Sequence, residues 1–314
     1  MIEHLNGFIE TLRGKIIEFK VGHFKNTTLL QNNFTIRMIT ISNDCIRLKE
    51  TFLNVRNTYD RYMDRDEVGG PNDLYETMGV KISQVSSMCL EIICEDMYKC
   101  LDEKYFMFLL SKEWLTDDSV IKTIISTSND YMADLTHLRA ESLIEILVRW
   151  QNRIKAEYMK GFLQNMSVVQ RGARKCQFDN SSERKLFGSK MNHEIALLDQ
   201  WFTNMLSNVD DKGLVNFNVL PLMTKIIKAD DVDFIGVEIG ALIKRCPDIT
   251  SEMLYGLLML RGDVSKSDFK DKYEDYVISN QKLADASKAK VSSESGKLVK
   301  TDPVMKILKR ELKI

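Results

Sequence analysis

Between Phe34 and Met63 the apolar residues keep one unbroken rhythm. Phe34, Met38, Ile41, Cys45, Leu48, Phe52, Val55, Tyr59 and Tyr62 are separated by alternating steps of four and three. Such spacing places all of these side chains on one face of an α-helix. At 1.5 Å per residue that helix would be about 45 Å long, which suits a rod better than a compact globule. The preceding segment repeats the stripe at Ile2, Leu5, Ile9, Leu12, Ile16 and Phe19. Composition agrees: the 314 residues include only 4 proline and 15 glycine, where average usage gives roughly 15 and 22. Both residues oppose long helices, proline by breaking and glycine by loosening them. No useful strand-like alternation occurs, nor any internal repeat of solenoid length. The expected fold class is therefore all-α, an elongated rod of consecutive antiparallel helix bundles.

The chain is punctuated at few points. Gly69-Gly70-Pro71 ends the long helix with a turn. A third helix then runs through Met78, Ile82, Val85, Cys89 and Ile92 to about Leu110. The next begins near Asp117 and Asp118, whose charges suit a helix N-terminus. Another spans about Glu141 to Met166, with Leu143, Leu147, Trp150, Ile154 and Tyr158 on one face. Residues 167–183 are polar and basic and read as a loop. Helical spacing resumes at Phe187, Met191, Ile195, Leu198, Phe202 and Met205, and three shorter helices follow. Pro221 and Pro247 are expected near helix starts. This reading divides the chain into bundles over 1–110, 111–182 and 183–278, with a flexible basic tail over 279–314.

A net charge of −1 provides no global field for nucleic acid. The distribution is uneven: residues 170–190 carry six cations against two acids, and residues 279–314 nine against four. No apolar run is long enough to cross a membrane, and the N-terminus has no signal-peptide pattern. Six cysteines, none in a CxxC pair, read as reduced small hydrophobes of a cytosolic protein.

Motifs that could carry chemistry fail on inspection. His193-Glu194 lacks the second histidine of a zinc helix, and His193 reads as a polar residue at a helix start. Residues 208–219 have a glycine where a calcium loop needs one. However, Lys212 stands where a ligand acid belongs, and Val219 where the bidentate glutamate belongs. Asp230, Asp231 and Asp233 are misspaced for magnesium and are expected to favour the next helix start. No phosphate loop, dinucleotide fingerprint or nucleophile elbow is present. Arg261-Gly262-Asp263 spells an adhesion tripeptide, but glycine at a helix end more often adopts the left-handed conformation of a cap. Trp114 and Trp150 are expected in the core. The sequence gives no catalytic residue, cofactor or metal.

Four segments in order carry a family resemblance. The first is Glu113-Trp114-Leu115 with Val120, Ile124, Asp130, Tyr131 and Asp134 behind it. The second is Arg153 with Glu157 and Tyr158, and the third is Ser181 with Glu183-Arg184-Lys185. The fourth runs from Pro247-Asp248-Ile249 through Leu257 and Leu258 to Arg261-Gly262-Asp263. Together they resemble the C-terminal helical-bundle region of the exocyst complex component three (Sec-six) family. The resemblance implies a non-catalytic subunit of the vesicle-tethering exocyst complex, cytoplasmic and peripheral at plasma-membrane sites of secretion. It further implies contacts with other exocyst subunits and with SNARE proteins. The alternatives are a related helical-rod protein outside exocyst that binds acidic membranes and, from another class, an all-α enzyme.

Candidate partner-binding residues are the cations Arg171, Arg174, Lys175, Arg184, Lys185 and Lys190. Clustered positive charge would give salt-dependent attraction to acidic SNARE helices or an anionic membrane surface.

Overall fold

The structure is a computed structural model. It describes residues 2–25, 33–62, 71–101, 106, 109–170, 178, 180–207, 217–231, 234–275, 277–279 and 282. Every regular element among them is helical. In chain order these are α1 (Ile2–Lys25), α2 (Phe34–Tyr62), α3 (Pro71–Cys100) and a 3-10 turn (Trp114–Thr116). Then come α4 (Ser119–Leu135), α5 (Ala140–Gln170), α6 (Ser181–Met205), α7 (Val219–Lys228), α8 (Ile235–Arg245) and α9 (Ser251–Met259). A last short helix, α10 (Lys266–Asp268), widens into a π-helical stretch over Phe269–Glu274. Among the described residues no helix is long and apolar enough to cross a membrane.

The chain forms two compact units. The first holds residues 1–100 and 126–149, the second 101–125 and 150–314. Both α4 and α5 therefore contribute to each unit.

In the first unit α2 packs along α3, and α1 rests on α3. Small residues set the α2–α3 seam: Ser42 and Ser86, both buried, share a 2.8 Å hydrogen bond. The stripe of α2 is buried at Phe34, Met38 and Cys45 and only half-covered at Ile41, Leu48 and Phe52. Its far end departs from expectation, since Val55 and Tyr62 are 48% and 84% exposed. The period sets the helix, but the tertiary contacts of the described residues cover only part of its apolar face. The corner between α4 and α5 is tied to α2 by Asn43. Its amide donates to the His137 carbonyl (2.9 Å) and accepts from the Arg139 backbone N–H (3.1 Å). Arg139 forks onto Glu50 at 2.9 and 2.6 Å.

Three boundaries differ from those read in the sequence. The third helix stops at Cys100 rather than near Leu110, and Leu110 itself has φ 63°, outside any right-handed helix. The supposed loop at 167–183 is helical at both ends, because α5 continues to Gln170 and α6 starts at Ser181. Asn180 makes that start possible: its side chain accepts from the Glu183 N–H at 2.8 Å, filling an otherwise orphan donor. Pro247 follows the C-cap of α8, Cys246, and thereby ends that helix instead of beginning one. The tail beyond residue 282 and most of the calcium-like segment, residues 208–216, lie outside the described residues.

Candidate functional site

The second unit gathers the sequence-selected cations around the first turns of α6, and it separates their roles. Lys185 is the one at the surface among the three described. Its Nζ stands 3.0 Å from Asp230 Oδ2, with both side chains more than half exposed. Asp230 Oδ1 also accepts from Ser181 Oγ at 2.7 Å, so this carboxylate serves the start of α6 rather than that of α8. The Ser181 hydrogen bond, then Lys185, holds the Asp230 carboxyl below its ordinary range. Arg171, Arg174 and Lys175 lie outside the described residues.

Lys190 points inward. Its Nζ donates to the Asp117 carbonyl at 2.9 Å and to the Asp118 carboxylate. It also lies 3.3 Å from Glu194 Oε1 and 5.6 Å from the Trp114 ring centroid. One turn further along α6, Glu194 is 0% exposed. Its Oε2 accepts from Tyr158 Oη at 2.5 Å and from Trp114 Nε1 at 3.2 Å. This cluster joins the 3-10 turn, the entry to α4, α5 and α6. Burial raises the Glu194 carboxyl pKa, while Tyr158, Lys190 and Trp114 pull it back. Burial and the adjacent carboxylate drive the Tyr158 phenol well up. Buried polar groups are costly unless paired, so the cluster fixes which residues may pack here. Trp114 stands against Phe187, which also meets Phe162 and Phe178. Trp114 and Trp150 are both 1% exposed, in the core as expected, Trp150 on the helical face that its spacing predicts.

Arg184, the remaining cation, closes a second network. Its Nη1 donates to the Arg261 carbonyl at 3.2 Å, and its Nη2 lies 3.3 Å from Asp263 Oδ2. Arg261 is fully buried. Its Nη1 donates to the last carbonyls of α7, Ile226 (2.6 Å) and Ile227 (2.9 Å). Its Nε and Nη2 fork onto Asp263 at 2.9 and 2.8 Å. Gly262 has φ 76°, the left-handed turn that lets Asp263 fold back on Arg261. Ser265 and Asp268 then cap the next helix reciprocally: the Ser265 N–H donates to Asp268 Oδ2 at 2.9 Å, and the Asp268 N–H to Ser265 Oγ at 3.1 Å. The tripeptide is thus an internal clip.

Neither network presents a reacting centre. Arg184, Lys190, Glu194 and Arg261 are buried and turned towards their own fold. His193 sits exposed in the middle of α6, not at a helix start. The structure thus moves Arg184 and Lys190 from a surface patch to internal pairs. It also gives a central place to Glu194, which the sequence reading weighed only beside His193 as an incomplete zinc motif. The signal was present, since Glu194 lies beside Met191, Ile195 and Leu198 and four residues after Lys190.

Comparison with known proteins bears on the whole chain. Residues 1–266 match the family model described as exocyst complex component Sec6. Exocyst complex component 3 of Drosophila melanogaster is 22% identical over 292 residues, covering 91% of this chain and 36% of that protein. The Caenorhabditis elegans protein of the same name is 24% identical over 200 residues, covering 62% of this chain and 23% of its own length. The chain thus spans roughly a quarter to a third of these relatives. Among solved structures, the C-terminal domain of the exocyst subunit Sec6p superposes with a TM-score of 0.75 at 14% identity, over 98% of this chain and 74% of that one. M-Sec does so with 0.63 at 12% identity, over 97% and 45%. At these identities the superpositions speak for the fold alone.

Proposed function

Because the chain belongs to the Sec6 family of exocyst complex components, we propose that it is a non-catalytic subunit of the vesicle-tethering exocyst complex. It acts in the cytoplasm and peripherally at plasma-membrane sites of secretion. The family match over residues 1–266 is the observation that carries this reading. Its physical content is consistent: five of the residues that carry the resemblance sit in the core networks just described. Trp114, Tyr158, Arg184, Arg261 and Asp263 hold the bundle together. Helix bundles of this kind suit a scaffold, since packed helices keep surface residues at fixed spacings.

The partners of this chain are other exocyst subunits and SNARE proteins, with an anionic membrane surface as a further contact. The electrostatic share of that contact falls to Arg171, Arg174, Lys175 and Lys185. Arg184 and Lys190 already have internal acids. Rim cations act mainly on association rate and salt dependence. Affinity purification of the full chain from cells tests the assignment, and recovery of the remaining tethering subunits is the expected result. Recovery of none would remove exocyst membership in favour of a relative acting alone. Reversal of Arg174, Lys175 and Lys185 to glutamate tests the contact. SNARE-bundle binding should weaken and lose its salt dependence, and unchanged binding would assign the segment to solvent.

A further inference from the structure

The first unit contains an open seam. The helices α1 and α2 both pack on α3, yet their backbones do not pack closely on each other. They converge at one end, where Phe34 stacks on His23 (3.6 Å between ring centroids) and Phe19 (5.2 Å). Beyond this end lies a groove of about 370 Å³. Leu12, Ile16 and Phe19 line it on one side and Ile41 on the other. The charged residues lining it, among those described, are Lys15 and Arg37, both cations. Arg37 lies over the Phe19 ring at 5.5 Å. Among the described residues Lys15 pairs with Glu18 on its own helix, both about 70% exposed, and an exposed pair of this kind holds its partners weakly.

The apolar surface continues past the groove. Phe8, one turn before Leu12 on the same face of α1, is 55% exposed. On α2 the stripe proceeds from Ile41 through half-covered Leu48 to Val55, 48% exposed. From Phe8 to Phe19 the wall is about 16 Å long at helical rise, two heptads less a turn. Two helix faces with a trough between them match the geometry by which an amphipathic helix docks through residues at i, i+3 or i+4, and i+7.

We infer that the α1–α2 groove binds an amphipathic helix of a partner protein, whose apolar stripe is flanked by acidic residues. The apolar lining calls for the stripe, and the two rim cations call for the acids. A second copy of this chain fits worse, because a symmetric groove-to-groove contact would bring together two linings whose charged residues, Lys15 and Arg37, are all cations. The inference concerns a surface of the first unit and stands apart from the exocyst assignment, so either can fail alone.

The test uses the full chain and a fluorescein-labelled synthetic peptide of about three heptads, with leucine at a and d and glutamate at the flanking e and g positions. A counterpart carries lysine at those flanks. Fluorescence anisotropy at low and moderate salt should show binding of the glutamate peptide and binding at least tenfold weaker for the lysine peptide. Phe8→Glu, at an exposed position, should abolish binding with the helical circular dichroism unchanged. Arg37→Glu should erase the preference between the peptides, since it leaves Lys15 facing one new acid. Three results would overturn the inference: no binding of either peptide, binding indifferent to Phe8→Glu and Arg37→Glu, or sedimentation showing a dimer that Phe8→Glu dissociates. The last would make the occupant a second copy.

Discussion

Replacing Glu194 with alanine withdraws the shared acceptor of the buried cluster. Tyr158 Oη loses its bond of 2.5 Å and Trp114 Nε1 its bond of 3.2 Å. A buried neutral donor left unpaired costs about 1–3 kcal/mol. Lys190 loses a carboxylate at 3.3 Å but retains Asp118 and the Asp117 carbonyl. The loss of a whole buried ion pair therefore does not apply in full. Removing the Glu194 charge also relieves the cost of its burial, which is what raises its pKa. Together these effects predict a loss of about 3–5 kcal/mol, a large share of a typical domain's stability. All three tryptophans, Trp114, Trp150 and Trp201, belong to the second unit. Urea unfolding followed by tryptophan fluorescence therefore reports on the unit that holds the site. Tyr158→Phe should cost about 1–2 kcal/mol alone and much less in the Glu194→Ala background, because the two share one hydrogen bond. A loss below about 1 kcal/mol for Glu194→Ala, or strict additivity in the double mutant, would refute the cluster as a stabilising unit.

The same carboxylate has a pH signature. Its folded-state pKa is raised by burial, so the folded chain keeps the proton to higher pH than the unfolded one. Stability is then lost as pH rises from the unfolded value, about 4.3, through the folded one. Denaturation series should show wild type declining relative to Glu194→Gln over that rise, and parallel profiles would count against it. At the tripeptide, Gly262→Ala should cost about 1–2 kcal/mol through its positive φ, and Gly262→Asn less, as judged by melting temperature. Along α2, Met38→Asp at a 0% exposed position should cost several kcal/mol. Val55→Asp should stay within about 0.5 kcal/mol, and equal effects would reject the observed coverage.

How much of this was legible depends on the range of the interactions. The bounds of α2 could be read because a local rhythm and a following Gly-Gly-Pro both act within the segment. The start of α6 was obscured by its polar, basic composition, although Asn180 followed by Glu183 is a capping signal. The end of α3 at Cys100 had no signal of that kind, since no glycine or proline stands between it and Leu110. The fate of Lys190 could not be read locally at all. Lysine is usually solvated, and its acid, Asp118, lies 72 residues away. Arg184 likewise depends on Asp263, brought close by the turn at Gly262.

That turn also sets how this corner can drift through mutation. Asp263 is the shared counter-ion of two buried arginines, Arg184 and Arg261, and Arg261 donates to two carbonyls in the last turn of α7. A variant that loses Asp263 strands two guanidinium groups at once, and one that loses Arg261 leaves two carbonyls bare. Either substitution alone should lower stability, because it leaves buried polar groups without a partner. Passable routes require compensating changes at Arg184 and the helix end together, so these positions should exchange as a set rather than singly. A combinatorial library randomised at Arg184, Arg261 and Asp263, selected only for soluble folded chain, should return the three residues in correlated combinations.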